Sequence, residues 1–370
     1  MAISRVLREV LALPTAAFVE KAVYAYVERF CRKLGGVEIA YDRHGNLLAH
    51  YRHRPGPAAP LVFTAHTDHP GFCALNMDDA RTLRAAFRGW VEPEYFVGTG
   101  VRFWSGGKWI KGKVAKIVRA APIYGMIGRT GRPEEVLIRL QRPVESGAAG
   151  MWDLPDPFER DGCVHARGCD DLAGAASMLA LLERLSKKRS AADVRCLFTR
   201  AEEVGFIGAI GAARDGTIPR ELPIIAIETS KALVNAKIGD GPILRVGDKS
   251  SVFTPAVTQF CDLVGKELMQ RKRSFAYQRK LMDGGTCEST AYVAYGYAAT
   301  GMCVALGNYH NMDEKRGRIA SEYVSLTDWQ RMVDWFEALA LDEKGYDPAG
   351  ADMKAGLDQR FAQYEALLRT

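Results

Sequence analysis

Four short apolar runs in this sequence each lead into residues able to bind a metal ion or carry a proton. Leu61-Val62-Phe63-Thr64-Ala65 runs into His66-Thr67-Asp68, and Cys196-Leu197-Phe198-Thr199 is followed by Glu202-Glu203. Ile224-Ile225-Ala226-Ile227 ends in Glu228, and Val304-Ala305-Leu306-Gly307 precedes His310. In an α/β sheet, ligands bind outside the carboxyl ends of the strands. If these runs are parallel neighbours, two histidines and several carboxylates meet at one edge. Asp170-Asp171, at the start of the next predicted helix, adds two carboxylates where one can cap that helix.

Two imidazoles and at least three carboxylates suit Zn²⁺, with Co²⁺ or Mn²⁺ as substitutes. The surplus of carboxylates can hold two ions, with Asp170 as the bridge and Asp171 in support. Ions about 3.5–4 Å apart can polarise a carbonyl and activate water, which is the chemistry of metal-assisted hydrolysis. Such a reaction also needs a carboxylate off the metal to move a proton, and Glu202 and Glu203 can divide the roles of base and ligand. Taken alone, the pair is an ordinary acidic helix start, and His310 an ordinary turn histidine. Glu228, at the end of so apolar a strand, would be costly to leave unpaired. Asp68 can accept the second ring proton of His66 and orient it. His69 reads as surface or pocket wall, and His44, His50, His53 and His165 as structural.

The elements that must position these residues follow from composition and period. The chain has 370 residues, 48% hydrophobic and 25% charged, which excludes disorder and fibrous repeats and allows more than one compact unit. Its net charge of +6 is spread along the chain, giving no nucleic-acid footprint. No run of about 18 apolar residues offers a membrane span, and Met1 to Glu20 has no apolar signal core, so a soluble cytoplasmic protein is expected. The eight cysteines are dispersed and read as reduced core residues. A helical segment is predicted over 4–34. Strands at 61–65, 194–199, 222–227 and 302–306 alternate with helices at 172–185, from 205 and over 326–341, which predicts an α/β fold, a mixed sheet with helices on both faces. Between 72 and 164 the texture changes to short Gly-, Trp- and Val-rich alternating runs, read as an inserted β-rich domain. The catalytic domain then comprises 1–71 and 165–370, with the insert as a lid or assembly surface.

These motifs, in this order, resemble the M42 metallo-aminopeptidases, within the wider clan of M20, M28 and M42 co-catalytic zinc peptidases. Ala65-His66-Thr67-Asp68-His69-Pro70-Gly71 is similar to the family's His-x-Asp-x-x-Gly segment, and Asp170-Asp171-Leu172-Ala173-Gly174 to its Asp-Asp segment. Ala201-Glu202-Glu203-Val204-Gly205-Phe206-Ile207-Gly208-Ala209 is similar to Glu-Glu-Val-Gly-x-x-Gly-Ala, the most specific match. The sequence departs from the family's pattern at Leu172, where Arg is usual, at Glu228, where Asp is usual, at Cys287 in Gly284-Gly285-Thr286-Cys287-Glu288, and at Asn311 after His310.

The resemblance implies that His66 and Glu228 hold one metal ion and Glu203 and His310 the other, with Asp170 bridging. It further implies Glu202 as the general base and Asp68 as the partner of His66. The substrate would be a peptide with a free N-terminus, and the chain would form homo-oligomers, with no nucleic-acid or membrane partner. Two other readings keep the fold. An M20-like deacylase or carboxypeptidase would need a fixed Arg or Lys for a substrate carboxylate, and a binding or assembly protein would lack turnover, against which the intact Glu202-Glu203 pair argues.

Overall fold

A computed structural model of the chain describes residues 2–121, 131–347 and 351–369. The four apolar runs lie side by side in one sheet, in the order Asp193–Thr199, Leu61–His66, Ile224–Lys231, Ala299–Gly307, and every pairing among them is parallel. Parallel strands covered by helices on both sides are apolar throughout rather than alternating. Accordingly, every residue of Leu61–His66 and of Ala299–Gly307 is buried.

Antiparallel strands complete the sheet on both sides. Leu47–Arg52 and Val37–Tyr41 extend it beyond Asp193–Thr199. Glu322–Ser325, Cys163–Ala166 and Phe158–Arg160 extend it beyond Ala299–Gly307, against which Ile243–Asp248 also pairs, with Gln278–Met282 outside it. Among the described residues this makes eleven strands. One face is covered by the helices Arg5–Leu11, Leu172–Lys188, Pro255–Arg271 and Leu326–Ala340, the other by Ile207–Asp215 and Glu288–Ala294. The α/β architecture with helices on both faces is therefore as expected.

At Gly71 the chain leaves the sheet and forms a closed six-stranded barrel from Gly71–Met77, Thr82–Arg88, Gly100–Ser105, Lys108–Ala121, Arg132–Leu140 and Ala149–Trp152. Its interior is aromatic, with Phe72, Phe87, Phe96 and Trp152 packed mostly edge to face at centroid distances of 4.8 to 6.2 Å. The small β-rich body is thus present.

Several elements differ from expectation. The predicted 4–34 helix is two helices, Arg5–Leu11 and Lys21–Cys31. Pro14 interrupts the pattern, and the segment between them is tied to the site by Thr15, whose hydroxyl donates to the Thr67 carbonyl at 2.7 Å. Helix Pro255–Arg271 carried no clear sequence signal beyond a proline at its first position. All eight cysteines are free, six of them buried.

Phe63 lies in the central strand with its ring 4.6 Å from that of Phe336, joining sheet to helix. Truncation of such a side chain costs about 3–5 kcal/mol. Phe63→Ala should lower unfolding free energy by about that amount in a denaturant titration, and a loss below about 1 kcal/mol would contradict this account of the core.

Candidate metal centre

All seven residues singled out as candidate site residues come together at the carboxyl edge of the parallel strands. His66 ends its own strand. Glu202 and Glu203 stand on a short 3-10 turn, Glu202–Val204, just after Asp193–Thr199. Glu228 lies inside its strand rather than at its end, because Ile224–Lys231 continues three residues further. His310 sits in a turn after Ala299–Gly307, where Asn308, His310 and Asn311 all have left-handed backbone (φ 52°, 53° and 64°). Non-glycine residues held there mark a strained segment kept in place by its surroundings. Asp170 precedes helix Leu172–Lys188, and Asp171 caps it, accepting from the Gly174 N–H at 3.1 Å and from the Thr229 hydroxyl at 2.7 Å.

The ligand atoms form overlapping groups around the two histidines, with His66, Asp170 and Glu203 also within 4.8 Å of one another. His66 Nε2 is 3.3 Å from Asp170 Oδ1 and 3.5 Å from Glu228 Oε1. His310 Nε2 is 3.4 Å from Glu203 Oε2 and 3.7 Å from Asp170 Oδ2. Asp170 thus turns one oxygen to each histidine. Donors bound tetrahedrally at about 2.0–2.2 Å from one ion stand roughly 3.3–3.6 Å from one another, the edge of the tetrahedron. The observed spacings sit at or near that edge, and Asp170 Oδ1 and Glu203 Oε1 are buried without a hydrogen-bond partner among the described residues. Nitrogen and carboxylate donors at this spacing, with unused buried oxygens, fit a borderline divalent cation. The buried cluster is thus able to hold metal.

Much of the support comes from carboxylates that receive main-chain N–H groups. Asp68 accepts from Glu202 N at 3.0 Å and Glu203 N at 3.1 Å, so it holds the turn bearing both glutamates. Towards His66 Nδ1 it presents its carbonyl at 3.2 Å and its carboxylate at 3.5 Å. Glu322, not anticipated from sequence, accepts from Cys169 N at 2.6 Å, Asp170 N at 3.1 Å and His310 N at 2.8 Å. Glu20, equally unanticipated, accepts from Ala201 N at 3.1 Å and pairs with Arg200 at 2.9 Å. The two glycines of the Glu-Glu-Val-Gly-x-x-Gly motif have distinct uses. Gly205 has φ +115°, and a Cβ on Gly208 would lie 2.5 Å from the Arg200 main-chain nitrogen.

Burial, reinforced by neighbouring carboxylates, holds Asp170, Glu202 and Glu203 well above the usual carboxylate range. Glu228 is the exception: burial pushes it up too, but the hydrogen bond and charge of His66, with Arg245 behind, bring it down to about 2. His66 goes up despite its burial, because Glu202, Asp170, Asp68 and Glu228 surround it. His310 is lowered to about 3 by burial and the neighbouring His69, which leaves Nε2 a neutral donor. Its Nδ1 donates to the Trp90 carbonyl at 2.6 Å, and Tyr309 stacks on its ring.

The other histidines divide differently from expectation in one case. His69 is completely buried rather than a surface or wall residue. His44 pairs with Asp215, His50 with Asp193 at 2.7 Å, His53 accepts from Arg189, and His165 lies between Phe158 and Tyr323. These four are structural contacts away from the cluster. Cys287 is buried and caps Glu288–Ala294, its N–H donating to Asp248 at 3.0 Å.

The fold is shared with aminopeptidases of several kinds. The TET1 peptidase of Pyrococcus horikoshii, described as able to assemble into a tetrahedron or a large octahedral shell, superposes with a TM-score of 0.72 at 19% identity, over 91% of this chain and 98% of that one. An aminopeptidase from the archaeon Desulfurococcus kamchatkensis gives 0.72 at 20% identity, over 91% and 93%. An M18-family aminopeptidase from Thermotoga maritima gives 0.62 at 14%, over 90% and 94%. Residues 141–315 match a family described as M42 glutamyl aminopeptidase. The resemblance read from the motifs therefore stands, and with it the class of enzyme, a hydrolase of the aminopeptidase type.

Asp68→Asn keeps the shape of the side chain but replaces one acceptor oxygen by an amide that cannot receive a main-chain N–H. The metal-free variant should lose about 1–3 kcal/mol of stability, the cost of an unpaired buried donor. Chemical denaturation in excess chelator reads this directly, and an unchanged midpoint would show that the Asp68 contacts do not hold the turn.

Proposed function

We propose that this chain removes N-terminal residues from peptides by means of two divalent metal ions, zinc being the natural fit and cobalt or manganese able to replace it. His66 and Glu228 would hold one ion and Glu203 and His310 the other, with Asp170 between them. The observation that carries this reading is the division of Asp170, one oxygen facing the His66 half and the other the His310 half. When bound, the ions supply Lewis acidity toward the scissile carbonyl and make water a stronger nucleophile at neutral pH.

The rest of the chemistry falls to this chain's own groups. Glu202 lines the cavity with its carboxylate 3.9 Å from His66 Nε2, and burial raises it toward the range in which a base can take a proton and return it to the leaving amine. Asp68 acts as the positioning residue, fixing the Glu202 turn. The free α-amino group of a peptide would find acidic partners beside Glu202 and Glu203.

Arg245, buried and bonded to Ser230 at 2.9 Å, puts a guanidinium in one wall of the same cavity, while Lys231 beside it pairs with Glu314 at 2.7 Å. An acidic N-terminal side chain fits that wall better than a basic one. The wall also keeps open the second reading, an M20-like deacylase or carboxypeptidase that captures a substrate carboxylate. Peptides with free and with blocked N-termini separate the two, since only the second enzyme accepts a blocked one.

A homo-oligomer belongs to the same proposal, in line with the tetrahedron or octahedral shell into which the TET1 peptidase can assemble, and residues 72–164 would form an inserted unit between catalytic segments 1–71 and 165–370. Among the described residues no helix is long and apolar enough to cross a membrane, and a cytoplasmic place is part of the proposal.

Hydrolysis of aminoacyl amides should vanish with a chelator and return with Zn²⁺ or Co²⁺, whereas activity that survives thorough metal removal defeats the reading. Glu202→Gln should retain its ions and lose about 10²- to 10⁴-fold in turnover. A third outcome concerns pH. Because Asp170 and Glu203 sit above the usual range without metal, zinc must displace protons to bind, and its apparent affinity should weaken as pH falls. Equilibrium dialysis at two pH values measures it, and an affinity independent of pH would contradict it.

A further inference from the structure

His69 lies three residues after His66 and is completely buried. Its Nδ1 is 2.6 Å from the Asp170 carbonyl oxygen and its Nε2 is 2.9 Å from Asn311 Oδ1. A carbonyl oxygen only accepts. The Asn311 amide is equally fixed, because its Nδ2 donates to the carbonyls of Arg167 at 2.7 Å and Ala320 at 3.1 Å, and a flipped amide would set oxygen against both. Each ring nitrogen of His69 therefore faces an oxygen held in place by other contacts. The Glu322 carboxylate, itself completely buried, lies 4.0 Å from Nδ1. That same carboxylate receives the main-chain N–H groups of Asp170 and His310. The backbone also makes room for the ring: a Cβ on Gly168 would come within 2.9 Å of it.

These contacts join two loops that are far apart in sequence. Asp170 receives a bond at its carbonyl from His69 and gives one at its N–H to Glu322. The turn with His310 is held at its N–H by Glu322 and, one residue on, at Asn311 by His69. No comparable link runs from His69 to the Glu228 strand among the described residues. We propose that His69, acting with Asn311 and Glu322, is a positioning residue for the His310 half of the centre, setting the distance between Asp170 and His310 and hence the affinity of the ion they would share with Glu203. This rests on the two-ion reading above. Removing a group that orients metal ligands typically weakens binding about 10- to 100-fold.

The test uses the full chain and zinc alone. Wild type and the variants His69→Ala and Asn311→Ala are stripped of metal, titrated with Zn²⁺ against a chromophoric chelator, and assayed for bound zinc after dialysis, with thermal melting of the metal-free proteins as the check on folding. Wild type should hold two ions, and each variant should keep one tightly while the other weakens about 10- to 100-fold. Variants that fold and hold two ions as wild type does would overturn the proposal while leaving the two-ion reading intact. Equal weakening at both ions would also overturn it, by showing a general structural role. A wild type that takes up no zinc overturns both. Should His69→Ala fail to melt cooperatively, Asn311→Ala decides, since it leaves the ring in place and takes away its far partner.

Discussion

The site is organised around a surplus of negative charge in a place water barely reaches. Asp68, Asp170, Glu202, Glu203 and Glu228 have almost exposure-free side chains within one cluster. Two like charges 4 Å apart repel by about 4 kcal/mol at the effective dielectric of a protein, and each also loses its hydration. His66 is raised by this surplus and, with Arg245 behind it, draws Glu228 down, yet Asp170, Glu202 and Glu203 remain high. Divalent cations are the chemical answer to such an imbalance, because each brings two positive charges into a space that admits no further Lys or Arg.

The protein resists the same repulsion by giving the outer carboxylates main-chain partners. Asp68, Glu20 and Glu322 each receive N–H groups from a loop distant in sequence. A charged acceptor strengthens such bonds roughly twofold over neutral ones. Each of the three thus fastens a loop while lying near or within the charged cluster. The strands supply the direction in which side chains point, and these carboxylates supply the fine spacing.

Much of this could be read beforehand, and the reasons differ from residue to residue. Leu61–His66 and Ile224–Lys231 are apolar throughout, so a polar residue at their ends stood out, and the parallel sheet placed His66, Glu228 and the Glu202 turn together. Asp170-Asp171 and Glu202-Glu203 carried motif spacing. Glu322 did not stand out, because a lone Glu at the start of a short strand looks like any surface residue, and its three partners lie 12 to 153 residues away. His69 was misread for the same reason: its neighbours in sequence, Asp68 and Pro70, reveal nothing of Asn311. Asp68 was assigned to His66 on local grounds, while its carboxylate chiefly serves the Glu202 turn. Helix Pro255–Arg271 escaped notice because charged Lys266, Glu267 and Arg271 dilute its apolar face.

The ring of His310 is aimed by the carbonyl of Trp90, a residue packed against the interior of the barrel. The catalytic sheet and the barrel therefore cannot be treated as separable cassettes. Excising the barrel to obtain a minimal enzyme would discard the acceptor that orients one histidine, and grafting a foreign barrel would have to restore a single oxygen atom to within tenths of an ångström.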